Sequence, residues 1–185
     1  MTDAKTRGRR QLLMIAALFV LPLIVAMALN TPWFRLQPQA TKNYGTLIQP
    51  VIPLLDLGFA EPGASEGKGL GRWTLLWLPA QDGDCEPVLD LLSRVRKAEG
   101  RAFDRIALSY SARCKASSLP KLTQITSATE QTLRTRLEKS GPGQSGLWLI
   151  DPLGNAMMYY PENFEASRMQ RDLDRLLRYS KAGTA

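Results

Sequence analysis

A chain of 185 residues, 44% of them hydrophobic, has room for one globular domain and a short appendage. Of its net charge of +7, residues 1–10, with four basic groups and one acid, supply +3; the rest is only mildly basic, and no later Lys/Arg run with interleaved aromatics marks a nucleic-acid surface. The chain has no histidine, which excludes every His-dependent triad or zinc site and removes the commonest metal ligand.

Residues 1–10 read as a basic cytoplasmic tail, because Lys5, Arg7, Arg9 and Arg10 precede the uncharged block Gln11–Leu29. Nineteen residues at helical rise span roughly 28 Å, close to the hydrocarbon thickness of a bilayer. Residues 11–29 are therefore expected to be a single transmembrane helix, and the positive-inside bias puts everything after Asn30 outside the cytoplasm. A cleavable signal peptide ending near Ala26-Met27-Ala28 is the competing reading, and Arg9-Arg10 faintly resembles a twin-arginine export signal. Each of them exports the domain.

Residues 30–71 read as a linker and an extended lead-in segment. Trp33 and Phe34 suit an interfacial aromatic belt, with packing on the domain as the alternative. Asn43–Leu47 and Val51–Leu54 have extended character, and Glu61–Gly69 is a turn region. Gly67–Gly71 precedes a strand, where a dinucleotide-binding loop would follow one.

The folded domain is expected over residues 72–181. Trp73–Leu78 is a buried strand that stops at Pro79. Val88, Leu91, Leu92 and Val95 form the apolar stripe of a helix ended by Gly100, and Asp104–Tyr110 is a second strand. Ser127-Ala128-Thr129-Glu130 has the form of a capping box, opening a helix that ends before Gly141. Leu147–Ile150 and Ala156–Tyr160 are joined by the turn residues Asp151–Asn155 as a hairpin. A last helix, about Glu165–Ser180, carries Met169, Leu173, Leu176 and Leu177 on one stripe. Strand, helix, strand, helix, hairpin, helix is a thioredoxin-like α/β order, with a mixed central sheet and flanking helices.

That order makes Cys85 the candidate thiol. It sits where a strand gives way to a helix N-terminus, and the unpaired N–H groups there stabilise a thiolate. Asp82, Asp84 and Glu86 oppose this with negative charge. A redox dithiol needs a resolving cysteine a few residues away, and Gln81 and Leu89 occupy those positions. Cys114 follows the second strand by four residues. Parallel strands deliver their ends to one edge, so Cys85 and Cys114 are disulfide candidates; two incidental cysteines are the alternative. Copper(I) through Met157 and Met158 is conceivable, but alternate strand residues filling a core explain them better, and no metal site or cofactor is expected. The loop Gln81, Asp82, Gly83, Asp84, Cys85, extending to Pro87, is the expected contact surface.

Several short motifs together resemble a known group: Asn43-Tyr44-Gly45, Gly71–Leu76, Arg94-Val95-Arg96 with Gly100, Asp151–Asn155 followed by Met157-Met158, and Asp172-Leu173 with Leu176-Leu177. They look like single-pass proteobacterial proteins similar to the Sco/SenC copper chaperones of cytochrome c oxidase assembly. The resemblance covers roughly residues 40–180. It implies an inner-membrane protein with a periplasmic thioredoxin-like domain and a respiratory oxidase or its assembly factors as partner. It also implies a CxxxC pair, with Cys85 as the second cysteine and Gln81 in place of the first; the family's copper-binding histidine has no counterpart. The expectation is a non-enzymatic accessory factor with a degenerate site. The alternatives are a copper chaperone or thiol-disulfide oxidoreductase using Cys85, alone or with Cys114, and an anchored binding module unrelated to respiration.

Overall fold

The structure, a computed structural model, describes residues 3–29, 43–57, 70–115, 122–140 and 143–180. Thr31–Phe34, Glu61–Gly69 and Gly141, on which parts of the sequence reading rest, lie outside the described residues. The chain divides into two compact units, Met1–Lys42 and Asn43–Ala185.

The first unit holds helix α1, Asp3–Leu29. It begins well ahead of Gln11, because the basic tail contains good helix formers and its one glycine does not break the run. Leu18, Phe19, Leu21, Leu23 and Met27 are all strongly exposed, so the helix is apolar around its circumference. Among the described residues no helix is long and apolar enough to cross a membrane.

The second unit is built on a six-stranded mixed sheet. Its strands are β1 (Thr46–Pro53), β2 (Trp73–Leu78), β4 (Ile106–Tyr110), β6 (Thr123–Gln124), β7 (Gly146–Ile150) and β8 (Asn155–Tyr160), in spatial order β1-β8-β7-β2-β4-β6. Strands β2, β4 and β6 run parallel; β7 is antiparallel to β2, β8 to β7 and β1 to β8. A separate two-stranded ribbon joins β3 (Gly83–Asp84) to β5 (Cys114–Lys115). The helices are α2 (Glu86–Ala98), α3 (Ser127–Ser140) and α4 (Ala166–Tyr179). The extended lead-in segment thus enters the sheet as edge strand β1.

Both faces of the sheet are covered, which is why β2 reads as a continuous apolar run. On one face Trp73, Leu75 and Trp77 pack with α2 and α4. On the other, Leu76, Leu78 and Trp148 pack with Leu133 and Leu137 of α3 and Ile48 and Ile52 of β1. The buried stripe of α2 is Leu89, Leu92 and Val95, with Val88 and Leu91 only half-buried. Cys85 is drawn into the same cluster one turn before Leu89, and that sets the helix phase. The second strand starts at Ile106 rather than Asp104, because Gly100–Arg105 forms 3-10 turns after a left-handed Gly100.

Asp172 of α4 is fully buried and locks the start of the domain. It accepts hydrogen bonds from Tyr44 N at 2.8 Å, Gly45 N at 2.9 Å and the Tyr160 hydroxyl at 3.0 Å. Burial, together with the Asp172 carboxylate, pushes the Tyr160 hydroxyl far above its ordinary pKa, so it remains a donor. Gly45 is required by close packing: a Cβ there would lie 2.6 Å from the Tyr160 ring and 2.7 Å from Met158.

Trp148 is fully buried between β2 and β8, its ring 4.9 Å from that of Tyr159 and tilted by 55° to it. Trp148→Ala should cost about 3–5 kcal/mol in denaturant unfolding of the detergent-solubilised chain, and a loss below about 1 kcal/mol would contradict this core assignment.

Candidate functional site

The chemistry-bearing residues gather where β2 and β4 end, since parallel strands present their C-terminal ends on one edge. After Leu78 the chain turns through Pro79–Asp82, forms β3 and reaches Cys85 at the N-cap of α2. Asp84 Oδ1 accepts the Glu86 N–H at 2.9 Å, and Pro87 lies in the first turn, where a missing N–H costs nothing. From the other strand, Ser111 N–H donates to the carbonyl of Trp77 at 3.0 Å. The chain then swings through Arg113 into β5, which places Cys114 opposite Gly83.

Cys85 and Cys114 form a disulfide, with Cα atoms 5.3 Å apart and a sequence separation of 29. Each cysteine is only 4% exposed. Gln81 and Asp82 are exposed at the rim, Asp84 is exposed, and Gly83 is half-buried in the ribbon. Met158 lies in the core beneath Tyr160 and Met157 is half-buried against the same cluster, so the two do not form a solvent-facing pair. Among the described residues no group of three His, Cys, Asp or Glu is placed to hold a metal ion.

A second device braces both turns. Glu130, in the first turn of α3, is 3% exposed, and it does not close the capping box expected from Ser127. Thr126 takes the capping role instead, its hydroxyl accepting from Thr129 N at 3.2 Å. Glu130 turns inward and accepts from the Ser111 hydroxyl at 2.7 Å, Ala112 N at 2.8 Å and Arg134 Nε at 2.8 Å. Arg134 Nη2 in turn donates to the Pro79 carbonyl at 2.7 Å. One carboxylate–guanidinium pair therefore joins the end of β2, the end of β4 and α3. Burial raises the pKa of Glu130, but the Ser111 hydroxyl, Arg134 and the Ala112 N–H outweigh it and hold the group below its ordinary value. No local signal marks this role, because Ser111 and Ala112 lie 19 and 18 residues away in sequence.

Beside the disulfide lies an open cleft of about 410 Å³. Trp77, Pro79, Pro87 and Val88 supply apolar walls, and Gln81, Asp84 and Glu162 the polar ones. Glu162, from the turn between β8 and α4, accepts the Ala80 N–H at 2.5 Å and closes the far side. The arrangement presents a shaped, partly apolar surface over a sulfur pair that is already bonded and buried. As it stands it offers no nucleophilic thiol.

Closing a loop of this length stabilises a fold by about 3–4 kcal/mol, so full reduction of the detergent-solubilised chain should lower its unfolding free energy by that amount; no change would show the bond to be mechanically idle. Glu130 adds a pH signature. Its lowered folded pKa contributes stability that is complete above about pH 4.5 and is lost as pH falls through the folded value. Glu130→Gln should cost roughly 2–3 kcal/mol at neutral pH and flatten the acid limb of the stability curve; an unchanged acid limb would remove Glu130 as its source.

A family model described as transmembrane-like, thioredoxin-like, C-terminal domain matches residues 73–180, from the first residue of β2 to just past α4. Comparison with curated proteins and with solved structures gives no match. The match takes in the β2–α2–β4 unit, the hairpin, α4 and both cysteines. The chain therefore belongs to the transmembrane-like, thioredoxin-like C-terminal domain family.

Proposed function

We propose that this protein is a membrane-anchored accessory factor that uses its thioredoxin-like domain for docking rather than for dithiol exchange. The observation that carries the reading is the burial of the Cys85–Cys114 bond at the helix mouth: the one sulfur at the thioredoxin position is committed to a neighbouring turn and shielded from solvent. Gln81 stands where a resolving cysteine would be needed, so reduction would leave no partner within the same turn. The surface beside it, from Gln81 to Val88, is the contact site in this reading.

The uncharged run from Gln11 to Leu29 supports α1 as a single-pass anchor, with Lys5, Arg7, Arg9 and Arg10 on the cytoplasmic side and the domain in the periplasm. The Sco/SenC resemblance supports a respiratory oxidase, or a factor that assembles one, as the partner. Copper relay is not part of the proposal: the chain has no histidine, and its methionine pair serves the core.

The rival from another class is an oxidoreductase or copper chaperone cycling Cys85 with Cys114. The two differ in what removal of both sulfurs does. In a deletion strain, the full chain carrying Cys85→Ala and Cys114→Ala should restore the oxidase haem spectrum in proportion to the amount of protein that accumulates. Normal accumulation with an unperturbed amide spectrum around Gln81–Val88, yet no restored oxidase, would favour the rival.

A further inference from the structure

The cleft beside the disulfide has a charge pattern that selects its occupant. We propose that it takes a Lys or Arg side chain, presented by an exposed segment of the partner, with the aliphatic stem against the apolar walls and the cationic head between Asp84 and Glu162. This rests on the reading of the helix-mouth surface as a docking site and adds the chemistry of what docks.

The two carboxylates come from different walls, one from the β3–α2 junction and one from the β8–α4 turn. Each is held by one oxygen only: Asp84 Oδ1 on the Glu86 N–H at 2.9 Å, and Glu162 Oε1 on the Ala80 N–H at 2.5 Å. Backbone donors thereby orient both groups before any partner arrives, while their second oxygens remain as acceptors. No basic residue lines the cleft. Arg113, on the neighbouring turn, pairs with Asp82 at 3.6 Å and Glu130 at 3.7 Å and donates to the Ala80 carbonyl at 3.4 Å, so its charge sits at the rim of the cleft. The lining side chains are thus acidic with no base among them, and Arg113 stands at the rim on the Ala80 side.

The walls decide what kind of cation fits. Trp77 is 6% exposed and lines the cleft together with Pro79, Pro87 and Val88. A hydrated metal ion gains nothing from such walls, and two carboxylates supply too few oxygens for one. A Lys or Arg side chain matches both features, since its methylene stem buries on apolar surface while its head stays polar, and an indole nearby favours a cation further. A volume of about 410 Å³ holds one such side chain with its flanking backbone.

The test titrates the isotopically labelled full chain in detergent micelles with the peptide acetyl-Ala-Leu-Lys-Leu-Ala-amide and with its Glu-for-Lys counterpart. Resonances of the Trp77 indole and of the Ala80, Asp84 and Val88 amides are followed. The Lys peptide should shift these signals and the Glu peptide should not. The double variant Asp84→Asn, Glu162→Gln keeps both oxygens that hold the backbone, so it should stay folded, yet weaken the Lys peptide about tenfold or more. Equal shifts by the two peptides, no shift by either, or unaltered Lys-peptide affinity in the double variant would overturn the proposal. Oxidase restoration by the cysteine-free chain does not depend on peptide charge, so these failures leave the docking-factor reading to its own test.

Discussion

The bond between Cys85 and Cys114 is the constraint on which the rest of the site depends. It ties the turn after β2 to the turn after β4, at the edge where parallel strands of this fold direct their chemistry. It lies beside the β3–β5 ribbon, and both cysteines pack in the cluster that holds Leu89, Leu92 and Val95 of α2. The same bond removes the thiol a helix N-terminus would otherwise activate. A single covalent link thus makes the site rigid and takes away its most obvious reactivity.

Glu130 and Arg134 do by hydrogen bonding what the disulfide does covalently. The disulfide clamps the two turns from the α2 side; the carboxylate–guanidinium pair holds Ser111, Ala112 and Pro79 from the α3 side. A buried ion pair of this kind stabilises little beyond an apolar replacement, but it is costly to break and it specifies one arrangement of the turns. A surface held from both sides is suited to presenting a fixed shape, and a fixed shape lowers the entropic cost of association. The pattern is consistent with docking at the cleft beside it.

Much of this architecture was legible in the residues. Strand β2 announced itself because it is buried on both faces and ends at a proline, and the hairpin because Asp151–Asn155 has the chemistry of a tight turn: Asp151 Oδ1 accepts the N–H groups of Leu153 and Asn155. The position of Cys85 followed from the same punctuation. Strand β1 was obscured by Pro50 and Pro53, which an edge strand tolerates and a periodicity argument discounts. The two-residue strands β3, β5 and β6 are too short to leave any pattern. Glu130 and Asp172 were hidden for a deeper reason: a carboxylate on a helix reads as solvated or capping, and only tertiary contacts 12 to 128 residues away turn it inward.

The central claim is that the Cys85–Cys114 pair holds structure and does not cycle. Its most direct test is the redox state of the full chain in respiring cells, trapped by acid and read by the mobility shift of a polyethylene-glycol maleimide. The account predicts one fully oxidised, unlabelled species in every growth condition, together with the absence of mixed disulfides to other proteins. A standing reduced fraction that rises and falls with respiratory activity, or a mixed disulfide through Cys85, would contradict it.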